Sequence, residues 1–470
     1  MTASQDPIVG AMHQWIDTHM DEIVVALQGV LKIPSVKAQS SPGAPFGKSV
    51  REALDYTLAL STKLGFRTRC IDGYAGDAEF GEGAEYVGVL GHLDVVPEGD
   101  GWQYPPYGAT LESGYIYSRG SEDDKGPTYA ALFAAKALME TGITLRRRVR
   151  IIFGCDEESG FGCVHHYFET AREERPAVGF TPDANFPLIY AEKGIANLVL
   201  TRSIQSDSTF LHVERASGGL RPNMVPDKAE AFLSGSKEQL DEAEAVLKRF
   251  WDRNVTVEST PHGLLVTAIG KNAHGATPEI GDNAVARLAK ALLTADLPND
   301  RSWLQWLADS VDTEGKKLGI AYVEEVTGPL SSNLGILSYS GGHCAVTYNV
   351  RYPVKWTIED VTNRVQPTIT AAGWSLGEVH NQAPLYVPLD QEPVATLLRV
   401  YREETGDMAS DPLTTGGGTY ARATPFVVAF GPSLPGSSDG PAHQPDERIA
   451  IESIRTAAKI YARALYELAR

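Results

Sequence analysis

Apolar residues recur at helical spacing through "IVGAMHQWIDTHMDEIVVALQGVLKIPSV", and the pattern stops at Pro34, which predicts one long opening helix. A second helical run, "VREALDYTLALSTKLGF", starts at about Val50 and ends near Gly65. "EYVGVLGHLDVVP" then reads as a β-rich run closed by Pro97. From Gly126, "GPTYAALFAAKALMETG" predicts a buried helix, with Pro127 suited to its first turn and Gly142 to its stop. "RRRVRIIFGC" predicts the next strand. Strand and helix alternate, so the fold class is α/β, a central mixed sheet flanked by helices.

The pattern changes after "EKGIANLVLTRSI", Glu192 to Ile204. Runs such as "AFLSGSKEQLDEAEAVLKRFWDRN", "GLLVTAIGK" and "HCAVTYNVRYP" alternate differently and predict an inserted α+β domain over 192–383. The first domain is then discontinuous, 1–191 and 384–470. It resumes with the helix "PVATLLRVYREE", the strand "PFVVAFGP" and a long terminal helix. A chain of 470 residues suits two domains, since it exceeds one ordinary core.

Composition narrows the partners. The net charge of −18 argues against nucleic acid or an anionic membrane. No apolar run reaches the roughly 18 residues a spanning helix needs, and "MTASQDPIVG" lacks the pattern of a signal peptide. Cys70, Cys155, Cys163 and Cys344 show no C-x-x-C spacing and read as thiols of a reducing compartment. A cytoplasmic protein is expected.

Candidate chemistry gathers where strands end. In "GHLDVVP", His92 and Asp94 are two apart and should project from one face of a strand. That suits a metal ligand with its orienting partner, and equally a buried ion pair. In "SRGSEDDKGPT", Asp123 and Asp124 precede a helix, where a dipole alone would favour an acid. In "GCDEESG", Asp156, Glu157 and Glu158 follow a β-forming run; elsewhere such a triplet would be a solvated turn. Asp183 in "GFTPDANFP" and His443 in "DGPAHQPDE" also follow β-like stretches. Ligands of open α/β sheets collect outside the carboxyl ends of strands. Two histidines with several carboxylates suit zinc or manganese, and five ligands with a spare acid suggest two ions.

The ordered motifs "LKIPSV", "GHLDVVP", "DDKGPT", "DEESG", "TPDANFP", "EKGIA", "RPNMVPD", "KNAHGATPEIGDNA", "NVRYP", "GGGTYAR" and "AHQPDE" resemble those of the co-catalytic zinc peptidases. That family includes carboxypeptidase G, aminoacylase, succinyl-diaminopimelate desuccinylase and carnosinase. Within it the chain looks most like the bacterial PepV dipeptidases. The resemblance implies a catalytic di-metal domain over 1–191 and 384–470, with 192–383 as its lid. It implies that His92 and Asp183 bind one divalent ion, Glu158 and His443 the other, and that Asp123 bridges them. Asp94 would orient His92, and Glu157 would be the general base. His274 in "NAHG" would polarise the scissile carbonyl, and Arg351 in "NVRYP" would hold the substrate's C-terminal carboxylate. Asn223, Gly418 and Thr419 would be further substrate contacts.

The activity so implied is hydrolysis of a dipeptide or short peptide, with a free amine and a free carboxylate, by a metal-bridged hydroxide. Zinc is the expected ion, with manganese and cobalt as alternatives. A large lid resembles the arrangement that supplies His274 in cis, so a monomer is expected, with a dimer as the alternative. An N-acyl-amino-acid deacylase, a non-catalytic relative and a metal-free carboxylate-pair hydrolase are the rival readings.

Overall fold

The computed structural model describes residues 6–205, 207 and 209–470. The chain forms two compact units. One holds the described residues up to Ala191 with Tyr386–Thr414 and Gly418–Arg470; the other holds Glu192–Leu385 with Thr415–Gly417.

The opening helix is not continuous. It divides into α1 (Pro7–Thr18), capped by Asp6, and α2 (Met20–Leu31). The break at His19 has a local cause. The Thr18 hydroxyl donates to the carbonyls of Gln14 and Trp15, while the His19 ring stacks on Trp15 at 4.0 Å and its Nδ1 lies 2.7 Å from the Trp15 oxygen. Side chains bonding back to the same carbonyl compete with the helical ladder and end it.

In the first unit α3 (Lys48–Lys63) leads into the antiparallel pair β1 (Arg67–Ile71) and β2 (Ala75–Phe80). Next come β3 (Tyr86–His92) and the short hairpin of β4 (Thr110–Glu112) and β5 (Tyr115–Tyr117). α4 (Lys125–Glu140), β6 (Arg148–Gly154) and β7 (Val178–Thr181) follow. The main sheet runs β1, β2, β6, β3, β7 and then the strand Val427–Ala429, with Ile189–Glu192 beyond it. It is mixed: β3 is parallel to β6 and β7, and Val427–Ala429 is parallel to β7, whereas β2 meets β6 antiparallel. β3 is buried along its whole length, as a parallel strand covered on both faces must be. α4 is apolar all round because it packs on β3 and also against the terminal helix Ile451–Ala469.

The second unit is built on an eight-stranded antiparallel sheet, which includes Gly194–Ser203, Ser331–Ser340 and His343–Tyr352. Its apolar core joins this sheet to the helices Ala284–Leu292, Arg301–Ala308 and Ile358–Ala371. Among the described residues no helix is long and apolar enough to cross a membrane.

Close approach in the first sheet demands small residues. A Cβ on Gly179 of β7 would lie 2.0 Å from the Gly88 carbonyl oxygen of β3, its parallel partner. Gly10 of α1 is exposed, and a Cβ there would meet nothing within 4 Å. Gly179→Ala is therefore expected to lower the unfolding free energy by about 2–3 kcal/mol, because backbone must move to admit the methyl. Gly10→Ala should raise it by roughly 0.5–1 kcal/mol. Urea unfolding of the two variants should show midpoints displaced in opposite directions.

Candidate active site

β3, β6 and β7 run parallel, so their carboxyl ends open on one edge, and the sequence continues from each into an acidic or imidazole-bearing loop. His92 is the last residue of β3 and is almost fully buried. Asp94 lies just beyond the strand rather than on it. Its carbonyl oxygen is 3.0 Å from His92 Nδ1, while its carboxylate Oδ1 stands 3.6 Å away. The carboxylate's nearer partners are backbone: Oδ1 accepts from the Glu157 N–H at 3.1 Å and Oδ2 from the Glu158 N–H at 3.2 Å. One buried aspartate thus straps the acidic loop after β6 to the end of β3.

Asp123 and Asp124 immediately precede α4. A Cβ on Gly91 would lie 2.0 Å from Thr128 Oγ1, so the missing side chain is what lets α4 sit so close to β3. In that contact Asp124 Oδ2 accepts from the His92 N–H at 3.1 Å and from the Thr128 hydroxyl at 2.8 Å. Behind them Lys125 is fully buried, and its ammonium donates to the carbonyls of Val30 and Ile33 at the end of α2.

Asp123 faces two rings at once. Its Oδ1 is 3.0 Å from His92 Nε2, and its Oδ2 is 3.0 Å from His443 Nε2. His443 Nε2 is also 3.0 Å from Glu158 Oε1, and Asp183 Oδ2 lies 3.9 Å from His92 Nε2. His92, Asp123 and Glu158 offer ligand atoms all within 4.8 Å of one another; so do His92, Glu157 and Asp183. Asp156 is apart from this cluster. It pairs with Lys37 at 2.6 Å and accepts from the Gly162 N–H at 3.0 Å, closing the acidic loop on itself.

The electrostatics of this edge ask for cations. With Nδ1 donating to the Asp94 carbonyl, a neutral His92 turns the lone pair of Nε2 toward an acceptor, Asp123 Oδ1. His443 Nε2 has two carboxylate oxygens at equal distance, and a single N–H cannot serve both well. Without metal, protons fill the gap. Hydrogen bonds donated to Asp123 and Glu158 push His443 up to about 11. Burial works against the charge on His92, yet Asp123 and Asp94 hold it well above its ordinary value. Burial and the neighbouring acids drive Glu157 and Glu158 above the usual carboxylate range. Asp123 stays below that range: burial opposes its charge, but the hydrogen bonds with His443 and His92 outweigh it. Imidazole and carboxylate donors converging in this way fit two hard or borderline divalent ions.

The second unit brings together Asn223, His274 and Arg351. The His274 strand bridge is to Met224, and the Gly275 N–H donates to the Asn223 carbonyl at 2.8 Å. Arg351 is buried on His343–Tyr352, where Nε donates to Asn349 Oδ1 at 2.9 Å and Nη1 to the Gly416 carbonyl at 2.8 Å. Asn349 in turn donates to Asn197 Oδ1. In the first unit, Gly418 and Thr419 precede Tyr420, whose ring meets His92 edge-on at 6.1 Å and whose hydroxyl is 2.7 Å from Cys163 Sγ.

Several of these supports escaped sequence reasoning. Asp124 and Tyr420 act on the cluster across long stretches of sequence, while Thr128 and Asn349 support Asp124 and Arg351 at local spacings of four and two. The doubled acid of "DDK" was the one available signal, since a helix dipole explains a single acid better than two. His166 has an ordinary role, bonding Asp72 at 2.9 Å and stacking on Tyr74.

A family model described as "Peptidase family M20/M25/M40" matches residues 88–467. The chain is 40% identical over 467 residues to "Putative dipeptidase YtjP" of Bacillus subtilis, covering 96% of this chain and 98% of that protein. It is 37% identical to a "Putative dipeptidase" of Staphylococcus epidermidis, covering 95% and 97%. Among solved structures, human carnosine dipeptidase 1 superposes with a TM-score of 0.57 at 17% identity, covering 98% of both chains. The dipeptidase Dug1p of Saccharomyces cerevisiae gives a TM-score of 0.58 at 15% identity over 97% of this chain and 98% of that one. At such identities the likeness is one of fold.

Carboxylates beside His92 and His443 favour their protonated forms, so an ion taken up at Nε2 would compete with protons there. Titrating chelator-stripped protein with Zn2+ at pH 7 should release protons, and affinity should fall as pH is lowered. His443→Ala should reduce the release by about one proton. Calorimetry in buffers of different ionisation enthalpy measures this, and a buffer-independent heat would contradict it.

Proposed function

Because the chain belongs to the peptidase family M20/M25/M40, we propose that it is a metal-dependent dipeptidase acting on short peptides with a free amine and a free carboxylate. The observation that supports this most is Asp123, with one carboxylate oxygen toward each of two histidines at 3.0 Å. In this reading His92 and Asp183 would hold one divalent ion and Glu158 and His443 the other, with Asp123 available to both. Zinc is the ion favoured by the donor set, with manganese and cobalt next. The unit carrying these residues is the catalytic domain, and Glu192–Leu385 is the lid. The reading takes the protein to be a cytoplasmic monomer.

Bound ions supply Lewis acidity and an attacking water that loses its proton near neutral pH. Glu157 accepts that proton and returns it to the leaving amine. Asp94 accepts from the Glu157 backbone N–H, so that the glutamate's carboxylate is not free to wander. His274 polarises the scissile carbonyl and donates to the oxygen as it gains charge. Arg351 binds the C-terminal carboxylate, its fork held in place by Asn349 and the Gly416 carbonyl. Asn223, Gly418 and Thr419 line the peptide.

Glu157→Ala is expected to leave metal content near normal while turnover falls by at least about 10³-fold, the loss of a positioned base. Retained turnover would sink the assignment of Glu157. Dipeptides should be cleaved and their N-acetylated forms resisted; the opposite preference would make the protein a deacylase of the same family. Arg351→Ala should raise KM for dipeptides by about 100-fold and leave dipeptide amides little changed.

A further inference from the structure

Resting on the two-ion reading above, we propose that the buried Arg119–Glu447 pair is a positioning device for the cluster, setting the affinity of the ion held by His443 and Glu158. Neither residue touches a ligand side chain. Both are essentially fully buried, 1% and 0% exposed. Glu447 Oε2 accepts from Arg119 Nη1 at 2.6 Å. Its other oxygen, Oε1, accepts from the backbone N–H of Glu122 at 2.9 Å and from that of Asp123 at 3.2 Å. Arg119 also donates from Nη1 to the Gln444 carbonyl at 3.3 Å and from Nη2 to the Glu98 carbonyl at 3.1 Å. Its guanidinium lies over the Trp102 ring at 5.2 Å.

The consequence lies in what those backbone groups belong to. The Asp123 N–H precedes the carboxylate that faces both histidines, and Gln444 follows His443 directly. One ion pair therefore grips the main chain beside both members of the Asp123–His443 contact, which are 320 residues apart in sequence but 3.0 Å apart in space. The segment is pinned again where Asp446 Oδ1 accepts from Gln103 N at 2.9 Å and Tyr104 N at 3.2 Å, and where Ser118 N donates to the Glu447 carbonyl.

Stability alone is a weak reason for such a pair, since apolar side chains of similar volume often serve a core as well. Apolar side chains could not accept the two N–H groups, nor hold the Gln444 carbonyl. Residues that orient ligands from behind typically change metal affinity by about 10- to 100-fold when replaced. Asp123 faces His92 as well, but the Gln444 grip lies beside His443 alone. The His92–Asp183 ion has other supports, through Asp94, Asp124 and Thr128, and should be affected far less.

The test uses the full chain, stripped by chelator and titrated with Zn2+ alone. Wild type is expected to bind two ions. Glu447→Gln should keep one at near wild-type affinity and weaken the other by about 10- to 100-fold. Turnover of this variant should recover as Zn2+ is raised, with KM for a dipeptide unchanged. Two ions bound at wild-type affinity would overturn the proposal. So would equal weakening of both ions together with a lower melting temperature of the ion-free chain, the mark of a merely structural pair. Should Glu447→Gln not fold, Arg119→Lys keeps the charge but cannot reach Glu447, Gln444 and Glu98 together. It should show the same selective loss, and two-ion binding like wild type's in that folded variant would overturn the proposal as well. A wild-type chain that binds fewer than two ions would instead refute the dipeptidase reading itself.

Discussion

Acceptor meets acceptor at the carboxyl end of the first sheet, and the rest of the site is arranged around that conflict. The Asp94 carbonyl occupies His92 Nδ1, which leaves Nε2 facing Asp123. Glu158 and Asp123 crowd His443 in the same way. Such contacts are repulsive unless a proton or a metal ion lies between the partners. The surrounding backbone is accordingly tied down beside His92, Asp123, Glu157 and Glu158, because a cluster free to relax would simply spread apart. Asp94 holds two N–H groups of the acidic loop, Asp124 holds that of His92, and Glu447 holds that of Asp123.

The three acids of "GCDEESG" illustrate how neighbouring residues acquire different work. Asp156 turns away to Lys37 and the Gly162 N–H, serving the loop's own shape. Glu157 and Glu158 remain on the cluster side, their main chain gripped by one carboxylate. The proposed reading makes one acid a ligand and the other a proton carrier, two duties that demand fixed positions a few ångströms apart.

Much of this was legible before any coordinates. His92 ends a β-like run, Glu158 and His443 follow such runs and Asp123 precedes a helix, and the glycines and prolines around them punctuate the chain clearly. The α/β class followed from strand and helix alternation. What sequence spacing does not encode is partnership at long range. Arg119 and Glu447 meet across 328 positions, and Tyr420 reaches Cys163 across 257. The division at His19 was hidden for a different reason: the apolar periodicity continues through it, while the interruption comes from polar groups bonding back to Trp15. Binary patterning reports which face is buried, and says little about where the ladder stops.

The place of Val427–Ala429 has a consequence for a chain emerging from the ribosome. This strand lies between β7 and Ile189–Glu192, so a late segment occupies an inner slot between strands made more than 230 residues earlier. Until it arrives, β7 presents an open edge, the kind of surface on which unfinished chains mispair. His443 follows the same segment. The sheet and the cluster are thus completed in nearly the same moment of synthesis, His443 lying 14 positions after Ala429. A truncated product would lack both, and would betray itself to proteolysis before it could pass for the finished protein.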